Sequence, residues 1–487
     1  MSLSSALNVA QSSLTATALQ TSIVSRNVAG KDDPNFNRKA GLQVTTYGGA
    51  VRIASIGRAM DAVLFAGKLV STSSVSAQQA IVDGLDRLEA TINDPELNQS
   101  LAAKLGALTN SLQQYSVTPD DPLLAQDVLT RAGDMATALN QASDSIGEVR
   151  RLADTEMTNG VDRVNRLLGE FEAVNKAIVK GTPSGADITD QLDSRDRILS
   201  QLSEEIGIST SIRGNNDMVI YTDSGVTLFE TVPRSVSMGP SYALGPGVAG
   251  KAVFVDGVPV TGPGAVMPIK SGQIYGSSVV RDDIAVTYQR QVDEIARGLV
   301  EAFAESDQVA AGPDQAGLFT WAGGPGIPPT GVGMPGIAAS IRVNPAADPT
   351  QGGDLDRIRD GGLAGAGYVY NTTGAAAYSD RIQGLLGELA AGRSFDPAAK
   401  ADPSNSLAGF ASSSVGWLEA QRQTGTTTLG YETALLQRTT ESLSNATGVN
   451  IDEEMTLVME LERSYDAASN LISTIDRMLA ALLDAVR

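Results

Sequence analysis

The chain contains no cysteine and no histidine. Disulfides, thiol nucleophiles, metal sites built on Cys or His, and Ser-His-Asp triads are thereby excluded together. Aromatic residues make up only 5% of the 487 residues, so a core packed through small and aliphatic side chains is expected rather than a large aromatic one. Positive charge is also scarce: 36 Lys and Arg face 56 Asp and Glu, a net charge of -20. Such a polyanion repels phosphate backbones and anionic lipid surfaces, so neither nucleic acid nor membrane is an expected partner. No run of about 20 apolar residues is present that would span a bilayer. The first 25 residues carry no charge and lack the basic and apolar regions of a secretory signal. The reading is a chain that is either cytoplasmic or exported without a cleaved signal. Hydrophobic content of 42% supports a real core, and the length suits about three domains.

What is present is clearest at the two ends. In residues 451–487, Ile451, Val458, Tyr465, Ile472, Leu479 and Val486 recur every seven residues. Leu461, Ala468, Ile475 and Leu482 follow three residues behind four of them, so the stretch reads as an a/d heptad stripe interrupted only by Glu454. No Pro or Gly breaks it, and Asn450 is a candidate N-cap. The N-terminus carries a weaker match: Leu3, Leu7, Ala10, Leu14, Thr17, Thr21, Val24 and Val28. Two helices made to pair are expected, marginal alone and stabilised by further helices from other copies.

Between the ends, helix is expected to about Val28, then a turn-rich loop and a short hairpin around Gly48-Gly49. Helix follows from Asp61 to Tyr115 with a break at Asn93-Asp94-Pro95. No Pro occurs between Leu123 and Thr182, and a helix over much of that span is expected to make a rod of roughly 75 Å at 1.5 Å per residue. A returning helix covers 188–206. The period then changes to two, with strands over 208–212, 218–221, 226–229, 252–255 and 258–260. Helix is expected again over 281–305, 376–391 and 407–447, with the Gly- and Pro-dense residues 307–375 read as loop with a few strands. The fold class is mainly α with an inserted β domain (α+β), elongated and nested. Residues 1–55 and 448–487 form a terminal coiled-coil assembly domain. Residues 56–207 and 281–447 form a long-helix bundle, with 307–375 unplaced in it, and 208–280 an outer β domain. The nesting predicts both termini at one end and the β domain at the other.

Four segments, in order, resemble the hook-associated protein 1 family of bacterial flagellar axial proteins. Residues 448–455, GVNIDEEM, continue through Glu460, Arg463, Tyr465 and Ala467 into Ile472-Ser473-Thr474-Ile475-Asp476-Arg477-Met478-Leu479. Leu192-Asp193-Ser194-Arg195-Asp196 is similar to the family's LDQRD segment, with Ser194 in place of Gln. Ser271-Gly272 through Arg281-Asp282 is a third segment. Asn27-Val28 followed by Pro34-Asn35-Phe36-Asn37-Arg38 stands where the family has NVNTPGYSRQ, with an insertion, Asn35 for Gly and Phe36 for Tyr. The resemblance implies a structural, non-enzymatic subunit without cofactors, exported through the flagellar secretion channel and assembled as a tubular homo-oligomer. It implies as partners the hook protein below, the adjacent hook-associated junction protein above, and a cytoplasmic flagellar export chaperone. The expected assembly interface is Leu3, Leu7, Leu14, Val24, Val28, Ile451, Val458, Leu461, Tyr465, Ile472, Ile475, Leu479, Leu482 and Val486.

Chemistry-bearing residues have plainer readings. The pairs Asp32-Asp33, Asp120-Asp121 and Asp282-Asp283 are read as helix and turn caps rather than halves of a glycosidase pair. Asp354, Asp356 and Asp360 lack the spacing of a calcium loop, and Gly362, Gly365 and Gly367 do not follow a strand as a nucleotide loop would. Trp321 is expected as a loop anchor and Trp417 in the core. The alternatives are another axial component of hook or rod type, disfavoured by the rod over 123–179, and a secreted carboxylate-based hydrolase.

Overall fold

A computed structural model describes residues 3–92, 100–241 and 243–485. Its spine is one helix, α4 (Pro122–Ser184), 63 residues and therefore about 95 Å long. Asp121 caps it by accepting from the Leu123 N–H, and Pro122 occupies the first turn, where no amide is needed. Gly185 ends it in the left-handed conformation, its N–H directed at the carbonyls of Gly181 and Thr182. Val128, Met135, Leu139, Ile146, Met157, Val164, Leu168, Phe171 and Ile178 are buried along one side of the spine at helical spacing.

The other elements in chain order are α1 (Leu3–Gly30), β1 (Lys39–Thr45), β2 (Val51–Arg58), α2 (Ala62–Ile92), α3 (Leu101–Val117), α5 (Thr189–Glu205), β3 (Ile208–Ile212), β4 (Met218–Thr222), β5 (Thr227–Phe229), β6 (Val236–Met238), β7 (Val253–Val255), β8 (Val258–Pro259), α6 (Gln273–Val279) and α7 (Ala285–Ala302). Then follow β9 (Phe319–Thr320), α8 (Ile337–Ser340), β10 (Arg342–Val343), α9 (Asp356–Asp360), α10 (Asp380–Ala390), β11 (Arg393–Ser394), β12 (Ser404–Asn405), α11 (Leu407–Thr447) and α12 (Ile451–Ala485). The expected break at Asn93-Asp94-Pro95 lies outside the described residues.

Two apolar clusters divide the spine. Around its first half, Leu139, Ile146 and their neighbours pack with Leu105 and Leu112 of α3, Tyr288 and Leu299 of α7, Leu385 of α10 and Phe410 of α11. Around its second half, Val164, Leu168 and Phe171 pack with Leu199 and Leu202 of α5 and with Ile220, Phe229, Val236 and Val253 of the strands. The strands form two antiparallel sheets, β3-β4-β5 and β6-β7-β8, in registers such as Ile208↔Thr222 and Val236↔Val255. Helices α2 and α11 run antiparallel: Gln78 donates to the Gly425 carbonyl at 3.2 Å, and Arg422 reaches Glu89.

The structure departs from the sequence reading in four places. The β insertion does not lie at the end opposite the termini. Asn216 donates to Thr182 and Asn165 to the Val236 carbonyl, so the insertion flanks the same half of the spine that α5 covers. Residues 307–405 occupy the other half, where Asn140 donates to the Ala338 carbonyl. Second, the insertion's strands end at Pro259, and α6, inside the expected 208–280 unit, belongs to the helices. A Cβ on Gly276 of α6 would lie 2.2 Å from the Ala77 carbonyl oxygen, so the two helices cross there at backbone contact. Third, Asp282 and Asp283 do not cap a helix. They sit in a π-turn joining α6 to α7, where Asp282 pairs with Arg281 and Asp283 with Lys400. Fourth, strand β6 has no counterpart in the sequence reading.

The loop over 243–251 is tied down rather than free. Arg150 donates to the carbonyls of Gly245 (2.9 Å) and Val248 (2.6 Å), and Arg281 to that of Lys251 (2.9 Å). Asp356 and Asp360 both face Arg359. Trp321 donates its ring N–H to the Gly326 carbonyl within its own loop, and Trp417 is half-buried, stacked on Tyr288.

Candidate assembly interface

Helices α1 and α12 pair antiparallel. The C-terminal end of α1 meets the N-terminal end of α12, where Asn27 lies against Glu454. Asn450 caps α12 by accepting from the Asp452 N–H. The buried seam of α12 is Glu454, Leu461, Ala468 and Ile475, one every seven residues. On α1 it is Ala10, Ala16, Thr17, Ile23, Val24 and Asn27.

Of the residues expected at the interface, Val24, Leu461 and Ile475 are buried in this seam. Leu3, Leu7, Leu14, Val28, Ile451, Val458, Ile472 and Leu479 are half-buried along its margins. Tyr465 and Leu482 are exposed, at 47% and 54%. Val486 lies outside the described residues. The d positions from Glu454 to Ile475 are therefore covered, while the a positions are partly covered or, at Tyr465, exposed.

Glu454, which read as the interruption of the stripe, is instead its most enclosed member, with no exposed surface. Its carboxylate accepts from Arg38 Nε at 2.6 Å and Asn27 Nδ2 at 3.1 Å. A buried carboxylate is tolerable only with such partners. Asn27 also grips the first residue of β1 on both sides, donating to the Lys39 carbonyl and accepting from its N–H, each at 2.9 Å. The hairpin β1–β2 is thereby fixed to the helix pair, with Ile23 and Ile53 closing over Gly41.

From the hairpin, cations reach the first turns of α5. The Lys39 ammonium pairs with Asp190 and lies 3.4 Å from Asp193. Arg58 binds Asp193 at 2.9 Å and Asp196 at 2.7 Å. Arg26 of α1 binds Asp187 at 2.8 Å and Asp190 at 3.0 Å. The Lys39 and Arg26 hydrogen bonds hold the Asp190 carboxyl below its ordinary range. For Asp187, burial acts upward but Thr189 and Arg26 outweigh it. Burial pushes the Asp196 carboxyl up, against the pull of Arg58. Arg195 points the other way, donating to the Asn216 carbonyl at 2.6 Å, and burial lowers its guanidinium to about 10. The LDSRD segment thus faces the terminal unit with its aspartates and the β insertion with its arginine.

Periodicity misses Glu454, Asn27, Arg38, Lys39, Arg58, Asp190 and Asp193. The family-like segments could have found some of them, since 27–38 holds Asn27 and Arg38 and 192–196 holds Asp193, but Lys39, Arg58 and Asp190 fall outside both.

Among the described residues, a long helical spine carries at its foot the pair formed by the two terminal helices. The flagellar hook-associated protein FlgK helical domain matches residues 85–318, and the C-terminal region of the flagellar basal body rod FlgEFG proteins matches residues 442–485. Among solved structures the chain is similar to the flagellar hook junction protein FlgK from Burkholderia pseudomallei, at 18% identity and a TM-score of 0.43. That match covers 53% of this chain and 47% of the other, so it spans about half the length of the Burkholderia protein. A comparison with curated proteins gave no match. Over these residues the chain is similar to the FlgK helical domain and to the C-terminal region of the rod proteins, both structural components of the bacterial flagellum.

Proposed function

We infer that this subunit forms a tubular layer of identical copies that joins the flagellar hook to the filament. The observation that carries the reading is the half-covered terminal pair. Met455, Met459, Tyr465, Leu471, Met478, Leu482 and Leu483 are all exposed on α12, at 47% to 72%. An apolar surface of that kind on a two-helix unit calls for cover by other helices, and identical helices from neighbouring copies supply it. In this reading residues 1–55 and 448–487 are the assembly domain, 56–207 and 273–447 the bundle with α6 included, and 208–272 the insertion. The hook protein lies below the layer, the adjacent hook-associated junction protein above it, and a cytoplasmic export chaperone holds the chain before secretion through the flagellar channel. A chain without cysteine suits export in an unfolded state without a cleaved signal. Electron microscopy of flagella from a strain lacking this chain tests the placement. Hooks without filaments are expected, and intact filaments would refute it.

A further inference from the structure

The terminal unit and the bundle are joined in an unusual way for two packed bodies. Among the described residues, neither apolar cluster contains a residue of 3–58 or 451–485. The seam residues Ile23, Val24, Leu461 and Ile475 are buried within the terminal unit itself. What crosses to the bundle is mainly ionic: Arg26, Lys39 and Arg58 on one side, Asp187, Asp190, Asp193 and Asp196 on the other, with Asn37 donating to Asp193 at 3.1 Å and the Arg38 N–H to the Thr447 carbonyl at 2.8 Å. The side chains of Lys39 and Arg58 are 1% and 3% exposed. Beside this joint a cleft of about 460 Å³ opens between the two bodies, lined by Phe36, Met60, Phe65, Lys68, Leu443 and Val449. Only two short connections span it, at residues 59–61 and 448–450.

Apolar contact is non-directional and lets surfaces slide. Paired charges do not, because each bond needs its own distance and angle. A joint built from them has one defined closed position. It also responds unevenly to perturbation. Removing one partner leaves a buried charge uncompensated, whereas opening the whole joint returns every charge to water together, at little net cost. That combination describes a latch. The same residues connect it to the helix seam, since Asn27 holds the Lys39 backbone and also donates to Glu454. Seating α12 against α1 therefore positions the Lys39 ammonium at α5.

We propose that the acidic edge of α5 is an ionic latch that holds the terminal helix pair at one fixed angle to the bundle, and that the seating of Glu454 closes it. This is a property of the single subunit and does not rest on its place in the flagellum. The lack of cysteine allows a clean test. Spin labels on Cys introduced at exposed Lys180 of α4 and exposed Asn470 of α12 report the angle as an electron–electron distance in the full chain. A single narrow distance is expected. Asp193→Asn with Asp196→Asn should lose that narrow peak while the helical circular dichroism and the main melting transition stay in place. Glu454→Ala, which touches no α5 residue, should also lose it. Should the double aspartate variant fail to fold, Lys39→Gln attacks the same joint from the hairpin side and decides alone. A distribution already broad in the unmodified chain, or a narrow peak unchanged by these substitutions, would overturn the proposal.

Discussion

Replacing Glu454 separates the role of charge from the role of packing in the terminal seam. The carboxylate is fully enclosed and accepts from Arg38 and Asn27. Glu454→Ala removes both bonds and leaves a void. A hydrogen bond to a charged group is worth about 1.5–3 kcal/mol, less where a partner can return to water. Arg38 can do so, because its side chain is 35% exposed. Asn27 keeps both bonds to Lys39. The net cost is therefore about 2–3 kcal/mol, with the Arg38 pairing about 1 kcal/mol of it. Glu454→Leu instead completes the apolar stripe, and burying a Leu returns about 1.5–3 kcal/mol, so the pair should be near wild-type in stability but without a polar marker of register. The assay is hydrogen exchange of peptides from 451–485 in the full chain. At tenfold per 1.4 kcal/mol, Glu454→Ala should exchange roughly 30- to 100-fold faster, and Glu454→Leu within a few-fold of wild type. Arg38→Ala added to Glu454→Ala should change little further. Equal exchange in the wild type and Glu454→Ala, or equal acceleration by Ala and Leu, would refute the reasoning.

Further outcomes follow from the bundle. Asp293 is 2% exposed and burial raises its carboxyl to about 6, although Gly336, Ala338 and Gln289 all donate to it. A carboxyl raised in the folded state binds protons that the unfolded chain has released, so its contribution is full below about 3.8 and is lost as pH rises through about 6. Asp293→Asn should flatten that part of the stability profile, by on the order of 3 kcal/mol, measured by urea unfolding at pH 4 and 7. Gly276→Ala would drive a Cβ into the Ala77 carbonyl at 2.2 Å and should lower stability by about 2–3 kcal/mol in thermal unfolding, as overpacking against backbone does. An epitope inserted in the exposed Asp256-Gly257 turn should leave the melting temperature unchanged. The same insert between Gly247 and Gly250 should lower it, because Arg150 and Arg281 lose carbonyl partners there.

The long elements were legible because their determinants are local. Proline-free stretches with three- and four-residue apolar spacing predicted α4 and α11, though the spine runs longer than expected, and α11 spans Leu407–Thr447 as read. Strand β3 appears at the expected residues because period-two alternation is equally local. What escaped depends on partners far away in the chain. Glu454 reads as a flaw in a heptad until Asn27, 427 residues earlier, lies against it. Helix α6 begins on Gly272, whose positive φ and contact with the Ile206 backbone give no periodic sign. The anchoring of 243–251 depends on Arg150 of α4 and on Arg281 of the π-turn, neither adjacent to it in sequence. The a/d pattern predicted two terminal helices that pair, but only the pairing of α1 with α12 distinguishes the covered d positions from Glu454 to Ile475 from the less covered a positions.

Ile472 tests the central claim most directly. It lies on the half-buried a stripe of α12, beside rather than within the seam. Ile472→Asp puts a charge where neighbouring copies are proposed to pack, a placement that is costly without a partner. A strain making only this variant should export it to the medium as a folded subunit with an unchanged main melting transition, and electron microscopy should show hooks bearing few or no filaments. Normal filaments on cells that export the variant would contradict assembly through the terminal helices.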